Sequence, residues 1–227
     1  MLVKEHNSIE LLKWLGLFSM LCDHINKYLF NYSIPFLYEI GRLAMPLFGL
    51  VLAYNLARFE FTNATYLRLM KRLLAFAVIA TPFFIYLGGV KYNWWPLNIL
   101  FTLFTSVLVV YLLDGKRYIH SIIVFIFLGA LVEFWWPAIA LVVSAFLYFR
   151  KGDTSYLILI VLSTIGLCYI NGNFYALLAL PIFYYFQYLN IVVTRTKWLF
   201  YCIYPLQFIA FILIRIEMSK HGYIFLI

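Results

Sequence analysis

The chain has 227 residues, of which 66% are hydrophobic and only 11% charged, with a mean hydropathy of +0.94. A soluble domain of that size carries about a quarter of its residues as charges, so a water-soluble fold is excluded. The net charge of +8 does not point to nucleic acid, because the cations are spread over short connections between apolar runs, where membrane topology and anionic lipid account for them.

Apolar runs suited to crossing about 30 Å of hydrocarbon as helix recur from end to end. In chain order the predicted spans are 9–30, 38–57, 67–87, 97–113, 119–131, 134–149, 156–170, 174–189 and 198–218. The fifth and sixth are short, and Glu133 with Pro137 interrupts the run between them, so a re-entrant or tilted pair is an alternative there. The N-terminus has Lys4 and Glu5 before a long first span with no small-residue cleavage site after it, which reads as a retained signal-anchor helix. No loop is long enough for a separate soluble domain. The expected fold is therefore all-α: a polytopic integral membrane bundle of about nine transmembrane helices, with residues 1–227 as a single domain.

The basic residues alternate with the spans. Arg58, Arg68, Lys71 and Arg72 lie between spans two and three, Lys116 and Arg117 between four and five, Arg150 and Lys151 after six, and Arg195 and Lys197 after eight. The opposite connections hold Lys91 and little else of that sign. The positive-inside rule then places the N-terminus in the cytoplasm and the C-terminus outside. Arg68, Lys71 and Arg72, spaced i, i+3, i+4, lie on one side of the helix entering span three and suit the phosphates of an anionic cofactor.

Cys22, Cys168 and Cys202 are scattered through apolar surroundings without Cys-x-x-Cys spacing, which implies neither a disulfide framework nor a zinc site. Cys22 borders Asp23, so an acyl-carrying thiol stands beside the plainer reading of a buried small hydrophobe. A Gly-rich nucleotide loop, a Gly-x-Ser-x-Gly elbow and an internal repeat are all missing from the sequence.

Chemistry concentrates in the first two spans. Lys13, Gly16, Met20, Asp23, His24 and Lys27 recur at three- and four-residue steps and form one stripe, which should face the bundle interior. His24 lies about 9 Å from the outer end of its span. In one reading Asp23 and Lys27 neutralise each other and His24 bonds a backbone carbonyl. In the other, His24 is a general base for attack on an activated carbonyl. Adjacent helical residues diverge by about 100°, so Asp23 is poorly placed to hold the His24 ring and suits Arg42 or Lys27 better.

Arg42 opens the second span in GRLAMPLFGL, where Gly41, Pro46 and Gly49 permit close contact and a kink. Its guanidinium needs a carboxylate, carbonyl or phosphate; Asp23, Glu39 and an acyl donor are all open to it. Asn98, Thr102 and Thr105 make a polar stripe on span four, either for interhelical hydrogen bonds or for substrate contact. Glu133 near the outer face is a solvated carboxylate or a second acid, base or amine-binding group.

The segments LGLFSMLCDHINKYLF, IGRLAMPLFGLVLAYNLAR, NILFTLF and FYCIYPLQFIAF resemble, in the same order, those of the TraX family. A plasmid-encoded member of that family acetylates the N-terminus of F-type conjugative pilin in the bacterial inner membrane. The resemblance spans nearly the whole chain. It implies an acetyl-CoA-dependent membrane acyltransferase with His24, Asp23 and Arg42 as site residues, and Glu133 at a position where an acidic or small polar residue is common. Two departures accompany it: Gln207 stands where the family usually has His, and Phe134-Trp135-Trp136-Pro137 is bulky where the family is usually small and Gly-containing, which suggests a changed acceptor site.

On this reading cytosolic acetyl-CoA meets Arg58, Arg68, Lys71 and Arg72, with Asn98 and Thr102 further in. The acceptor is a pilin or another small membrane or exported protein. A hydroxyl on a lipid-linked glycan or envelope polymer is the first rival acceptor. A proton- or ion-coupled transporter using Asp23, His24 and Glu133 as a relay, and a non-enzymatic pilus-assembly subunit, are rivals of another class.

Overall fold

The computed structural model describes residues 9–58, 62–92, 94–186, 188–189, 191, 193–194, 196 and 198–226. The expectations on Lys4, Glu5, Arg195 and Lys197 lie outside these residues. The described residues form helices α1 (Ile9–Leu29), α2 (Pro35–Gly41), α3 (Ala44–Arg58), α4 (Asn63–Tyr86), α5 (Ile99–Asp114), α6 (Tyr118–Gly129), α7 (Trp135–Lys151), α8 (Ser155–Asn171), a 3₁₀ turn (Tyr175–Leu178) running into α9 (Ala179–Phe186), and α10 (Leu199–Lys220).

Local chemistry sets the boundaries. Thr62 caps α4 by accepting from the Thr65 N–H at 3.3 Å, and Asn98 caps α5 by accepting from the Leu100 N–H at 3.1 Å. Pro35 opens α2, where its missing N–H costs nothing. Gly152 and Gly172, at φ of 74° and 69°, end α7 and α8 in the left-handed conformation that glycine adopts freely. The second predicted span is one apolar stretch broken at Arg42–Leu43. Pro46 has no N–H for the Arg42 carbonyl and its ring crowds that group, so α2 and α3 are separate helices with Arg42 at the break.

Six helices close a ring through successive contacts: α1 packs on α3, α3 on α7, α7 on α5, α5 on α4, α4 on α10, and α10 back on α1. Helices α6, α8 and α9 lie outside it, against α5 and α7, α7, and α3 respectively. Helix α3 is buried on nearly every side, from Ala44 through Ala57. It meets α7 closely because Gly49 has no side chain: a Cβ there would stand 3.2 Å from Val142 Cγ2. Small residues at such a crossing let helices pack without help from water exclusion.

Among the described residues, nine helical segments, counting α2 with α3 and the 3₁₀ turn with α9, fall within a few residues of the nine predicted spans. Three of them, Pro35–Arg58, Asn63–Tyr86 and Leu199–Lys220, are long and apolar enough to cross a membrane. Helix α6, at 12 residues, is about 18 Å long, shorter than the hydrocarbon layer. The exterior is apolar: Ile119, Ile122, Ile126 and Phe127 on α6, with Ile158, Leu162 and Ile165 on α8, all face outward. Such faces suit lipid rather than water. Gly49→Leu is expected to force α3 and α7 apart and destabilise the bundle by about 1–3 kcal/mol, read as a lowered unfolding midpoint in detergent.

Candidate functional site

The last turns of α1 lie against α2. Gly41 makes this possible, since a Cβ there would come within 2.5 Å of Asp23 Cβ and 3.0 Å of its Cγ. Arg42 Nη2 donates to Asp23 Oδ1 in a short ion pair whose side chains are only 10% and 20% exposed. The other two guanidinium nitrogens also donate. Nη1 bonds Asn171 Oδ1 at 3.1 Å, Nε bonds the Tyr38 carbonyl at 3.2 Å, and the guanidinium lies over the Tyr38 ring at 4.2 Å. Tyr38 closes the loop by donating its hydroxyl to the Asn171 carbonyl at 2.7 Å. A charge-assisted network that engages all three guanidinium nitrogens is how an arginine is held away from water. Asn26, fully buried, accepts from the Ile34 N–H at 3.0 Å and so ties the α1–α2 turn.

His24 points elsewhere, as the 100° offset from Asp23 requires. Its ring sits among Tyr28, Tyr204, Phe208 and Phe211 at centroid distances of 5.5, 6.3, 5.3 and 6.5 Å. Gln207 of α10 adjoins it. Lys27, one turn from Asp23, lies over Tyr28 at 5.0 Å and Phe84 at 5.9 Å, which stabilises an ammonium in apolar surroundings. The carboxylates of Glu133 and Asp23 attract it as well.

Glu133 occupies the tight turn between α6 and α7. Its N–H donates to the Leu97 carbonyl at 2.9 Å, and its own carbonyl accepts from Thr102 Oγ1 at 2.8 Å. The bulky residues after it serve this turn. Trp135 stacks on Trp95 at 5.9 Å, and Trp136 donates to the Ile126 carbonyl at 3.1 Å beside Gly129. Phe134 and Trp135 both hold positive φ, 60° and 49°.

A cavity of about 450 Å³ lies inside the helix ring. Lys13, Arg68 and Arg72 stand at one end of it, Leu17, Leu69 and Leu103 line its length, and Met20, Tyr204 and Ile99 close the other end. His24 is one helical turn beyond Met20 and beside Tyr204, so it stands directly behind the inner wall and not on it.

The structure therefore brings Asp23, Arg42, His24, Lys27 and Glu133 to one end of the bundle and sets Arg68 and Arg72 at the cavity mouth. Lys71 is exposed and outside the lining, because i+3 and i+4 positions diverge by about 100° around the helix. Arg58, in the last turn of α3, is also outside it. Asn98 and Thr102 bond protein groups: Asn98 Nδ2 donates to the Ala77 carbonyl at 3.0 Å and Thr81 Oγ1 at 3.1 Å, and Thr102 holds Glu133. Sequence reasoning missed Asn171 and Tyr38 as partners of Arg42. Asn171 ends a distant apolar run, and only the fold brings it there. Lys13 was legible in the first-span stripe, but its place at a cavity mouth was not.

A helical ring with a lipid-suited exterior, an interior cavity and a network of ionisable side chains at one end is the plan of an all-helical membrane protein. The chain belongs to the TraX protein family, whose model matches residues 8–215. Membership ties it to conjugation-associated, pilin-related membrane proteins. No curated protein and no solved structure matches the chain.

Asp23→Ala leaves Arg42 partly buried without its counter-charge and is expected to cost about 3 kcal/mol or more. The double variant Asp23→Leu/Arg42→Met is expected to recover most of that. Unfolding midpoints in detergent check both, and a double variant no more stable than the single one would show that the pair is not the source of the loss.

Proposed function

We propose that the chain is a membrane acetyltransferase that moves an acetyl group from cytosolic acetyl-CoA to the N-terminal amine of a pilin subunit or another small exported acceptor. The observation that carries this reading is the cavity leading from Lys13, Arg68 and Arg72 to Met20 and Tyr204, with His24 behind them. Arg68 and Arg72 at the mouth suit the phosphates of coenzyme A, beside a Lys13 paired with Glu10, and the apolar length suits its flexible arm. From Lys13 to His24 is about 16 Å along α1. With the helical segments as crossings and the basic connections in the cytoplasm, the mouth opens to the cytosol and His24 lies in the outer half of the bacterial inner membrane.

The chemistry asked of the chain is modest. The acceptor amine attacks the thioester carbonyl carbon, forming the C–N bond and placing negative charge on the carbonyl oxygen. His24 takes the proton released from the amine nitrogen. The C–S bond then breaks, and the coenzyme A thiolate takes that proton from the imidazolium. Arg42, each of whose guanidinium nitrogens bonds Asp23, Asn171 or Tyr38, serves by holding α1 at its angle, which leaves an amide dipole as the better candidate to meet the oxyanion.

Purified protein incubated with labelled acetyl-CoA and a membrane extract of its host tests the reading. The expected product is a small protein acetylated at its N-terminus, formed by wild type and lost in a normally folded His24→Ala variant. A labelled glycan would shift the acceptor to a hydroxyl, and an active His24→Ala variant would remove His24 from the mechanism. Arg68→Glu with Arg72→Glu is expected to raise KM for acetyl-CoA at least tenfold with little change in kcat. An unchanged KM would remove the cavity mouth from coenzyme A binding.

A further inference from the structure

Two buried polar atoms on neighbouring helices are left without partners. His24 Nδ1 on α1 and Gln207 Oε1 on α10 are both shut off from solvent and make no hydrogen bond among the described residues. The two side chains adjoin, and Gln207 is only 6% exposed. An imidazole N–H is a donor and an amide oxygen an acceptor, so the two atoms are complementary, and each left alone carries its full desolvation cost. The other groups around His24 are the rings of Tyr28, Tyr204, Phe208 and Phe211 and the charges of Asp23, Lys27 and Arg42. The Tyr28 hydroxyl is also buried without a partner among the described residues, and the variant Tyr28→Phe separates it from Gln207. Gln207 Nε2 faces Met20 Sδ at 3.9 Å, a weak acceptor at the inner end of the cavity. The amide thus spans from the cavity wall to the imidazole.

We infer that Gln207 is the positioning residue of His24: its amide oxygen accepts from Nδ1–H and leaves the basic lone pair on Nε2. The proton of a neutral histidine goes to whichever nitrogen finds an acceptor. Nδ1 is the closed-off nitrogen, so Nε2 is the one through which a substrate proton can be taken. The Gln207 side chain is within interacting reach of the imidazole. The catalytic consequence rests on the acetyltransferase reading, whereas the tautomer itself does not.

The test uses the full chain in detergent, labelled with ¹⁵N at histidine, with His24 signals assigned by their loss in His24→Ala. Wild type is expected to show His24 protonated on Nδ1 and unprotonated on Nε2. Gln207→Met, close in shape but without the acceptor, is expected to move the proton wholly or partly to Nε2. Gln207→Glu is expected to keep it on Nδ1. In the transfer assay Gln207→Met is expected to lower kcat at least tenfold and leave KM for acetyl-CoA within twofold. A wild-type His24 protonated on Nε2 overturns the inference without any variant. So does an unchanged spectrum in Gln207→Met, or a shift produced by Tyr28→Phe instead. If the spectra respond as expected while wild type transfers no acetyl group, the inference stands and the acetyltransferase reading falls.

Discussion

The contact between Asp23 and Arg42 constrains the whole site, and it exists only because Gly41 lets the two backbones approach. A charge pair in apolar surroundings is worth having only when its geometry is good and the leftover donors are satisfied. Here Asn171 and the Tyr38 carbonyl each take one of them. Pro46 contributes from a distance by breaking the helix at Arg42, which frees the arginine to reach back toward α1. The pair fixes the rotation of α1, and that rotation turns His24 toward α10 and leaves Lys13, Leu17 and Met20 on the cavity.

The bundle then separates two kinds of charge. At one end, Arg68 and Arg72 stand at the mouth of the ring and keep cationic heads near water, with Arg72 resting over Trp198 at 4.6 Å. At the other, Lys27 is held over Tyr28 and Phe84 and attracted by Glu133 and Asp23. The cavity between them is apolar along its length. This order, cationic mouth, apolar passage and ionisable end, is what the proposed acyl-donor route rests on.

The turn carrying Glu133 shows why bulk in a sequence is a poor guide to a substrate site. Phe134-Trp135-Trp136-Pro137 suggests a reshaped acceptor pocket, yet Trp135 and Trp136 pack on Trp95, Ile126 and Gly129 and hold the turn itself. The strained residues Phe134 and Trp135 are kept in place by that packing, and they present Glu133 beside α5. Gln207 is the opposite case: a polar residue in an apolar stretch of α10 that lands against His24.

Hydrophobic run length, proline and glycine punctuation and the alternation of basic connections made the helical segments legible, because each depends on neighbours in the chain. The same holds for the first-span stripe and for the divergence of Asp23 from His24, which follow from 3.6 residues per turn. Asn26 lay in plain view two residues after His24, though its task of tying the α1–α2 turn did not. The partners across space were not legible: Asn171 and Tyr38 on Arg42, Gln207 on His24, Lys13 beside Arg68 and Arg72. Asn98 and Thr102 looked the same whether they faced a ligand or a neighbouring helix, and only the α4–α5 and α5–α7 packing decided between them. Local sequence determines where a helix begins, ends and presents its polar face; which face meets which is decided by the closing of the ring, where glycine gaps and buried charges leave one arrangement that satisfies them together.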